Sequence, residues 1–254
     1  MSDIGQLHAN PTASQSRIAG DTIERHHHHE HQVVYPSRGA VAVTTERGTW
    51  LAPSDRAVWI PAGTWHEHRF YGDTRFHCVG LDSTLYPIFS VGPEIVGVTP
   101  LLRELIVACS RPDDPRAVAC HEEEARLRAV LVDQLWHQPR EPLSVATPRD
   151  PRLVAARDAI EGDLTRPLDL SRLADLCDSS ARTMSRLIRS ELGMTFPQWR
   201  TQLRLHRALI LLVEGSSVTD TAYLTGWPTP SAFIDAFRGA YGRTPGTYAE
   251  SPDR

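Results

Sequence analysis

The sequence predicts an α+β chain of two domains, a β-rich N-terminal domain with trailing helices and an all-α C-terminal domain. Short apolar runs of strand length alternate with turn residues between about residues 32 and 82. Helical periodicity replaces them after about residue 98, and the chain is helical throughout from residue 152. A proline-rich stretch separates the two parts. We therefore expect a sandwich or small barrel, two helices, a linker and a helical domain.

Length and composition exclude several classes of protein. The chain has 254 residues, of which 41% are hydrophobic and 23% charged, so it can bury a core and is not disordered overall. Its longest apolar runs, such as Ala208–Val213, fall short of the roughly 18 residues of a membrane span. No secretory signal pattern opens the sequence, and we expect a cytoplasmic protein without membrane partners. Its four cysteines are scattered, which argues against a disulfide framework.

The N-terminal part divides into a tail and a β domain. Residues 1–20 are polar and aperiodic, and we expect a flexible tail. A barrel is predicted over residues 21–98, where runs rich in Val, Trp, Phe and Thr are separated by Gly, Pro and Asp. The expected strands are Val33–Tyr35, Ala40–Thr45, Thr49–Leu51, Ala57–Ile60, His66–Phe70 and Phe76–Leu81.

Two helices and a linker are expected between the domains. Apolar residues recur at helical spacing after Pro100, and a second helix is predicted from about Pro115 to His137. Its stripe from Leu127 to Leu135 either pairs two subunits or packs on the barrel. We therefore assign residues 99–138 to dimerisation or packing, residues 139–151 to a linker and residues 152–254 to the helical domain.

Charge is distributed unevenly along the chain. All 27 basic residues are Arg, with 14 against 19 acidic residues in 1–151 and 13 against 12 in 152–254. The segment 172–207 carries seven Arg against three acidic residues, a local charge of +4. Such a stretch is typical either of a surface that binds an anionic partner or of a solvated helix face. The planar guanidinium suits phosphate and guanine.

A repeated unit of a short helix, a tight break and a longer helix occurs twice in the C-terminal domain. The first unit is predicted over Leu170–Glu191 and the second over Val218–Tyr241. Ser180 is suited to an N-cap and Pro230 to a first helical turn. One long helix, Pro197–Glu214, joins the units. Each unit is therefore a predicted helix-turn-helix.

These units carry a resemblance to a known family. Over about residues 152–250 the segment resembles the DNA-binding domain of the AraC/XylS family of bacterial transcription regulators. The matching residues are Leu173-Ala174, Ser180-x-Arg182-Thr183-Met184-x-Arg186, Leu192-Gly193-Met194-Thr195-Phe196 and the ordered string Ala222…Gly226-Trp227…Ser231-Ala232-Phe233…Phe237-Arg238…Gly242-Arg243-Thr244-Pro245-x-x-Tyr248. The resemblance implies promoter DNA as the partner and leaves contact with RNA polymerase, and activation or repression, open.

Recognition helices enter the major groove, and their outward residues meet base edges. In the first unit these are Arg182, Ser185, Arg186 and Arg189, with Arg186 the best candidate for a bidentate contact to guanine. In the second unit they are Thr229, Ser231, Ala232 and Asp235. Asp235 departs from the basic residue of many relatives, so we expect this unit to position the protein, through Arg238 and the helix N-terminus, more than to specify sequence.

Residues 26–31 contain a run of histidines that permits three interpretations. The run is either a purification tag, although Glu30 interrupts it, or a solvated loop, or part of a cupin site. The spacing of His26, His28, Gln32 and Gly39 fits the first cupin motif, with Gln in place of the usual Glu. Pro61-x-Gly63-x-x-His66 fits the second. The β domain thus resembles a cupin-type sensor barrel, which is common in this family.

Three imidazoles would converge at the barrel mouth, His26, His28 and His66, with Gln32 a weak fourth ligand. Such a set suits Zn, Ni, Fe or Cu, or the mouth takes an organic effector instead. We therefore expect a homodimeric regulator controlled by a small ligand or metal, located with the nucleoid. The alternative is a metal-dependent cupin enzyme with a DNA-binding tail, against which the Gln counts. His68, His77 and His121 fit no recognised spacing.

Overall fold

The computed structural model describes residues 11–86, 90–111, 121–141 and 144–249, and the chain divides into two compact units, Met1–Ser144 and Val145–Arg254. The division falls inside the proline-rich stretch. Both units have the predicted composition, a sheet-rich first unit and a helical second unit, so the fold class is confirmed. None of the helices within the described residues has the length and apolar character needed to cross a membrane.

The first unit is an antiparallel, cupin-like barrel built around two long strands, β3 and β6. Its strands are β1 (Ala13–Arg17), β2 (Thr22–His26), β3 (His31–Thr45), β4 (Gly48–Pro53), β5 (Arg56–Ile60), β6 (His66–Leu81), β7 (Glu94–Gly97) and β8 (Arg140–Glu141). The order is β1-β6-β3-β5-β7-β8, with β2 also on β6 and β4 also on β3. Residues 31–44 of β3 pair with residues 67–81 of β6, and irregularities between Pro36 and Ala40 bend the pair.

Two differences from the predicted strands have a common cause. Sequence inspection divides β3 and β6 at Pro36–Gly39 and Tyr71–Asp73, yet the backbone continues through both as bulged strands. Gly39 allows this because it lies at φ 73°, and a Cβ there would lie 2.4 Å from the Thr74 hydroxyl. Turn residues inside a long bent strand therefore mark bulges and not the ends of strands.

The prediction of a flexible tail over residues 1–20 is wrong for β1. Residues 13–17 pair with residues 74–78 of β6 in unbroken register. The strand was missed because its residues are mostly polar, so its stability comes from backbone hydrogen bonds to a neighbouring strand and not from an apolar stripe. Residues 1–10 lie outside the described residues.

Helices α1 (Pro100–Cys109) and α2 (His121–His137) cover one face of the barrel. Thr99 caps α1 by accepting a hydrogen bond from the Leu102 amide. Leu131 and Leu135 are fully buried in one cluster with Val33, Trp59 and other barrel residues, so the apolar stripe of α2 packs on the barrel. The predicted N-terminal part of this helix, residues 115–120, lies outside the described residues.

The predicted linker over residues 139–151 contains two short strands, β8 and β9 (Ser144–Ala146), before the second unit's helices begin at Pro151. Those helices are α3 (Pro151–Gly162), α4 (Leu170–Leu176), α5 (Ala181–Leu192), α6 (Phe196–Val213), α7 (Val218–Leu224), α8 (Pro230–Tyr241) and α9 (Gly246–Ala249). Ser180 caps α5 and Pro230 opens α8, as expected. The paired helices α4–α5 and α7–α8 flank α6, so the double helix-turn-helix prediction is confirmed.

Arg204, from the middle of α6, connects the two helix-turn-helix units. Its guanidinium donates to the Leu164 carbonyl oxygen at 3.0 Å and lies 5.9 Å from the centre of the Trp227 ring. Gly226 lies in the same place at φ 77°, and a Cβ there would be 2.3 Å from the Leu164 oxygen. The turn of the second unit therefore packs against the loop ahead of the first unit with no room for a side chain.

Substituting Gly226→Ala should lower the free energy of unfolding of the second unit by about 2–4 kcal/mol, from left-handed strain plus overpacking. Denaturant unfolding followed by helical circular dichroism measures this. Gly242→Ala is the matched control, because Gly242 has φ 72° but no atom within 4 Å of its would-be Cβ. That variant should lose only about 1–2 kcal/mol. Equal losses in the two variants would contradict the close packing at Gly226.

Candidate functional site

Helix α5 is amphipathic, with Met184, Ile188 and Leu192 buried on its inner face. Arg182, Arg186 and Arg189 are exposed on the other face and Ser185 is half-buried between them. Within the described residues, none of these three guanidinium groups has an ion pair or a hydrogen bond. The face thus presents three uncompensated cations at i, i+4 and i+7 on the outer side of the helix.

Two arginines of the basic segment serve a different purpose. Arg200 donates to the carbonyl oxygens of Leu168, at 3.1 Å, and of Arg166. Arg204 donates to that of Leu164, and burial lowers its pKa to about 10. These guanidinium groups satisfy the loop between α3 and α4. The local excess of positive charge is therefore partly structural, and the exposed excess concentrates on α5.

Helix α8 presents a weaker face. Ser231, Asp235 and Arg238 are exposed, while Phe233 and Phe237 are fully buried. Thr229 is the N-cap, and its hydroxyl oxygen accepts a hydrogen bond from the Ala232 amide at 3.2 Å. Its oxygen is thus engaged in capping the N-terminus of the helix. One acid and one base on this face nearly cancel.

Histidines form the second candidate site, inside the first unit. His26 on β2 lies opposite His66 on β6, and their ring centres are 4.4 Å apart. His68, two residues along β6, points to the same face, and its ring centre is 5.0 Å from that of His66. His28 joins from the segment after β2, at 5.4 Å from His66. The four rings are buried, whereas His29, in the same run, is exposed.

Backbone hydrogen bonds set the tautomers of two rings. His26 Nδ1 donates to the Glu24 carbonyl oxygen at 2.6 Å, and His66 Nδ1 donates to that of Thr64 at 2.8 Å. In each ring the proton therefore occupies Nδ1, and Nε2 carries the lone pair. His66 Nε2 and both nitrogens of His68 are buried and have no hydrogen-bond partner among the described residues.

Gln32 binds the ring of His28 and so makes it less available as a metal ligand than the other three histidines. The Gln32 amide nitrogen lies 3.2 Å from the Pro11 carbonyl oxygen and 3.3 Å from His28 Nε2. A carbonyl oxygen requires a donor, so the NH₂ group faces Pro11 and also donates to His28. The lone pair of His28 Nε2 is thereby engaged. Gly80 makes room, since a Cβ there would be 2.9 Å from Pro11.

Burial keeps the His66 and His68 rings uncharged. It lowers the pKa of His66 to about 3, and it holds the pKa of His68 well below its usual value. A neutral imidazole with a free lone pair is the form that binds a metal ion. Ligand atoms of His26, His66 and His68 lie within 4.8 Å of one another. These residues therefore fit a metal better than the predicted trio of His26, His28 and His66.

His68 was missed because the two cupin motifs do not include it. The period of a strand supplies the signal, since His66-x-His68 places both rings on one face, as His26-x-His28 does. Arg204 and Gly226 were missed for another reason. Their importance depends on a contact between residues 40 and more apart in sequence, which periodicity cannot show.

Comparison with known proteins agrees with this architecture. Residues 173–251 match a family model described as a helix-turn-helix domain, and residues 8–88 match one described as an AraC-like ligand binding domain. The chain is 31% identical over 227 residues to the HTH-type transcriptional regulator NimR of Escherichia coli K12, covering 88% of this chain and 81% of that protein.

Two further matches each cover less than half of this chain. The HTH-type transcriptional regulator GlxA of Rhizobium meliloti is 35% identical over 98 residues, 38% of this chain and 30% of that protein. A solved structure, the C-terminal domain of AraT, a response regulator from Geobacillus stearothermophilus, is 29% identical, with a TM-score of 0.37 over 39% of this chain and 84% of that one. NimR and GlxA are both named as transcriptional regulators. The chain belongs to the AraC/XylS family: it is a DNA-binding transcription regulator with an N-terminal ligand-binding domain.

Proposed function

We propose that this regulator selects its promoters mainly with helix α5 and responds to a metal ion at the histidine cluster. The observation that carries the first part is the exposed, unpaired face of Arg182, Arg186 and Arg189 on a helix whose other face is fully buried. Arg186, at the centre of that face, is assigned the bidentate contact to guanine, worth about 1–3 kcal/mol of discrimination.

The second helix-turn-helix unit positions the protein on the duplex. Ser231 and Arg238 meet phosphates, and Asp235 limits base contacts to at most a cytosine amino group. The two recognition helices then reach successive turns of the groove on one face of the DNA, about 34 Å apart. Helix α6, about 27 Å long at 1.5 Å per residue, joins the two units.

His26, His66 and His68 hold the metal ion, which is Zn, Ni, Fe or Cu by the chemistry of three neutral imidazoles. When bound, the ion supplies a Lewis-acidic centre inside the barrel. The chain's own residues fix its geometry, because the carbonyl oxygens of Glu24 and Thr64 hold two rings by their Nδ1 protons. Control of transcription requires that the ion bind the DNA-competent and incompetent forms with different affinity.

The protein is also expected to form a homodimer. Val130 and Trp136 remain 43% and 46% exposed on α2 although the stripe of that helix is buried against the barrel. This outer face is where a second copy would pack to form a homodimer in the cytoplasm, on the nucleoid. If the regulator is an activator, it also contacts RNA polymerase.

Arg186→Ala should remove specific binding, lowering affinity for the preferred duplex by about 10- to 100-fold while weak non-specific binding survives. The preferred duplex is first selected from random sequences, and affinities are then measured at several salt concentrations. Arg207→Ala is the matched control, since it removes an exposed charge from α6 and not from the recognition face. Equal affinity of Arg186→Ala and the native chain would refute the assignment of α5.

Metal analysis tests the ligand set. Protein purified without metal-affinity resin and equilibrated with Zn²⁺ should retain about one ion per chain, and His68→Ala or His66→Ala should lose it because three ligands are the minimum of the set. His28→Ala should retain most of the affinity, because Gln32 already engages that ring. His29→Ala, exposed in the same run, is the control. Loss in His28→Ala with retention in His68→Ala would restore the trio predicted from sequence.

A further inference from the structure

We propose that the metal at His26, His66 and His68 takes a small organic or inorganic anion as its additional ligand, so that the effector of this regulator is an anion that binds together with the metal. This inference rests on the proposed metal site. It follows from the charge of the donor set and of the groups that face it.

The donor set is electrically neutral. Among the described residues, the group able to hold an ion consists of three histidines and contains no carboxylate or thiolate. At the position where the cupin motif has Glu, Gln32 supplies a neutral amide and directs its NH₂ group to Pro11 and His28. A divalent ion bound there would keep a charge of about +2 in a buried site, which is unfavourable unless a counter-charge accompanies it.

The surrounding charge has the same sign. Arg17 acts on His68 electrostatically, and its guanidinium lies 5.8 Å from the centre of the Phe70 ring beside that histidine. Arg17 Nε is buried without a hydrogen-bond partner among the described residues. The residue as a whole is half-buried, and its Nη2 donates to Gln15 Oε1 at 2.5 Å. Its unused Nε donor gives an anion at the three neutral ligands a second attachment point.

The histidine cluster is buried but reaches solvent at one edge, where His26 and His28 keep 6% and 7% of their surface exposed. A cleft of about 210 Å³ adjoins His66 through Thr64, whose carbonyl oxygen accepts the His66 proton, and Arg47 and Trp65 also line it. Glu46, the acid of that cleft, is paired with Arg25 at 2.6 Å. The described residues that line the cleft do not include the cluster histidines, so the cleft offers a small acid a path of approach beside Thr64 and not its final position on the metal.

Thermodynamic linkage gives a quantitative expectation. If the anion completes the metal's coordination, each ligand must raise the affinity for the other by the same factor. Because the anion neutralises a buried charge, we expect a factor of about tenfold or more. Neither ligand alone would then be an efficient effector.

The experiment uses Co²⁺ as the metal probe and azide and acetate as anion probes, with the full chain in a buffer free of coordinating anions. Visible absorption of Co²⁺ reports its coordination, and titrations with and without anion give both affinities. We expect either anion to change the Co²⁺ spectrum and to tighten Co²⁺ binding by about tenfold. Arg17→Gln should bind Co²⁺ but lose most of the anion effect. Arg69→Gln is the matched control, because Arg69 is an exposed barrel residue on the other face of β6.

Other outcomes separate the two claims. Co²⁺ that binds with a spectrum and affinity insensitive to either anion would overturn this inference and leave the metal site standing. Failure of the native chain to bind Co²⁺ would overturn both, while the DNA-binding assignment of α5 would be judged by its own experiment. An anion effect equal in Arg17→Gln and the native chain would remove Arg17 from the proposed site.

Discussion

The pairing of β3 with β6 is the constraint on which the first unit depends. These two strands run antiparallel over residues 31–44 and 67–81, and every other strand of the barrel attaches to one of them or to a strand already attached. Side chains alternate across such a pair, so one register fixes which residues enter the barrel. A slip of one residue would turn His66 and His68 outward and bring Glu67 inward. The histidine cluster is thus a consequence of strand register and needs no special loop.

In both units, burial decides which side chains are charged and which are neutral. His66 and His68 inside the barrel are kept neutral by desolvation, whereas the three arginines of α5 remain exposed. Arg200 and Arg204 show the intermediate case, in which a guanidinium is partly buried and its protons bind carbonyl oxygens. The same residue type therefore provides either an exposed basic face or internal support, and position in the fold decides between them.

Much of this architecture could be predicted from the sequence because its signals are local. The start of α5 agrees with the prediction, since Ser180, the predicted N-cap, begins the helix, and Gly193 ends it in the left-handed conformation. The strand β1 could not be predicted, because its polar residues carry no periodic pattern and its stability depends on a partner more than 50 residues away. The place of His28 also depends on tertiary contacts, because only the position of Pro11 shows that Gln32 donates to that ring.

The anchoring of Pro11 has a practical consequence for anyone who handles this protein. The Pro11 carbonyl oxygen accepts from Gln32, the Thr12 hydroxyl accepts from the Gly80 amide, and β1 follows directly. A sequence joined directly ahead of Pro11 would therefore act on the residue whose carbonyl oxygen holds Gln32, which in turn contacts His28. Reporter domains and epitopes are better attached elsewhere, and two preparations that differ only in their N-terminal fusion should be compared before either is used to rank effectors.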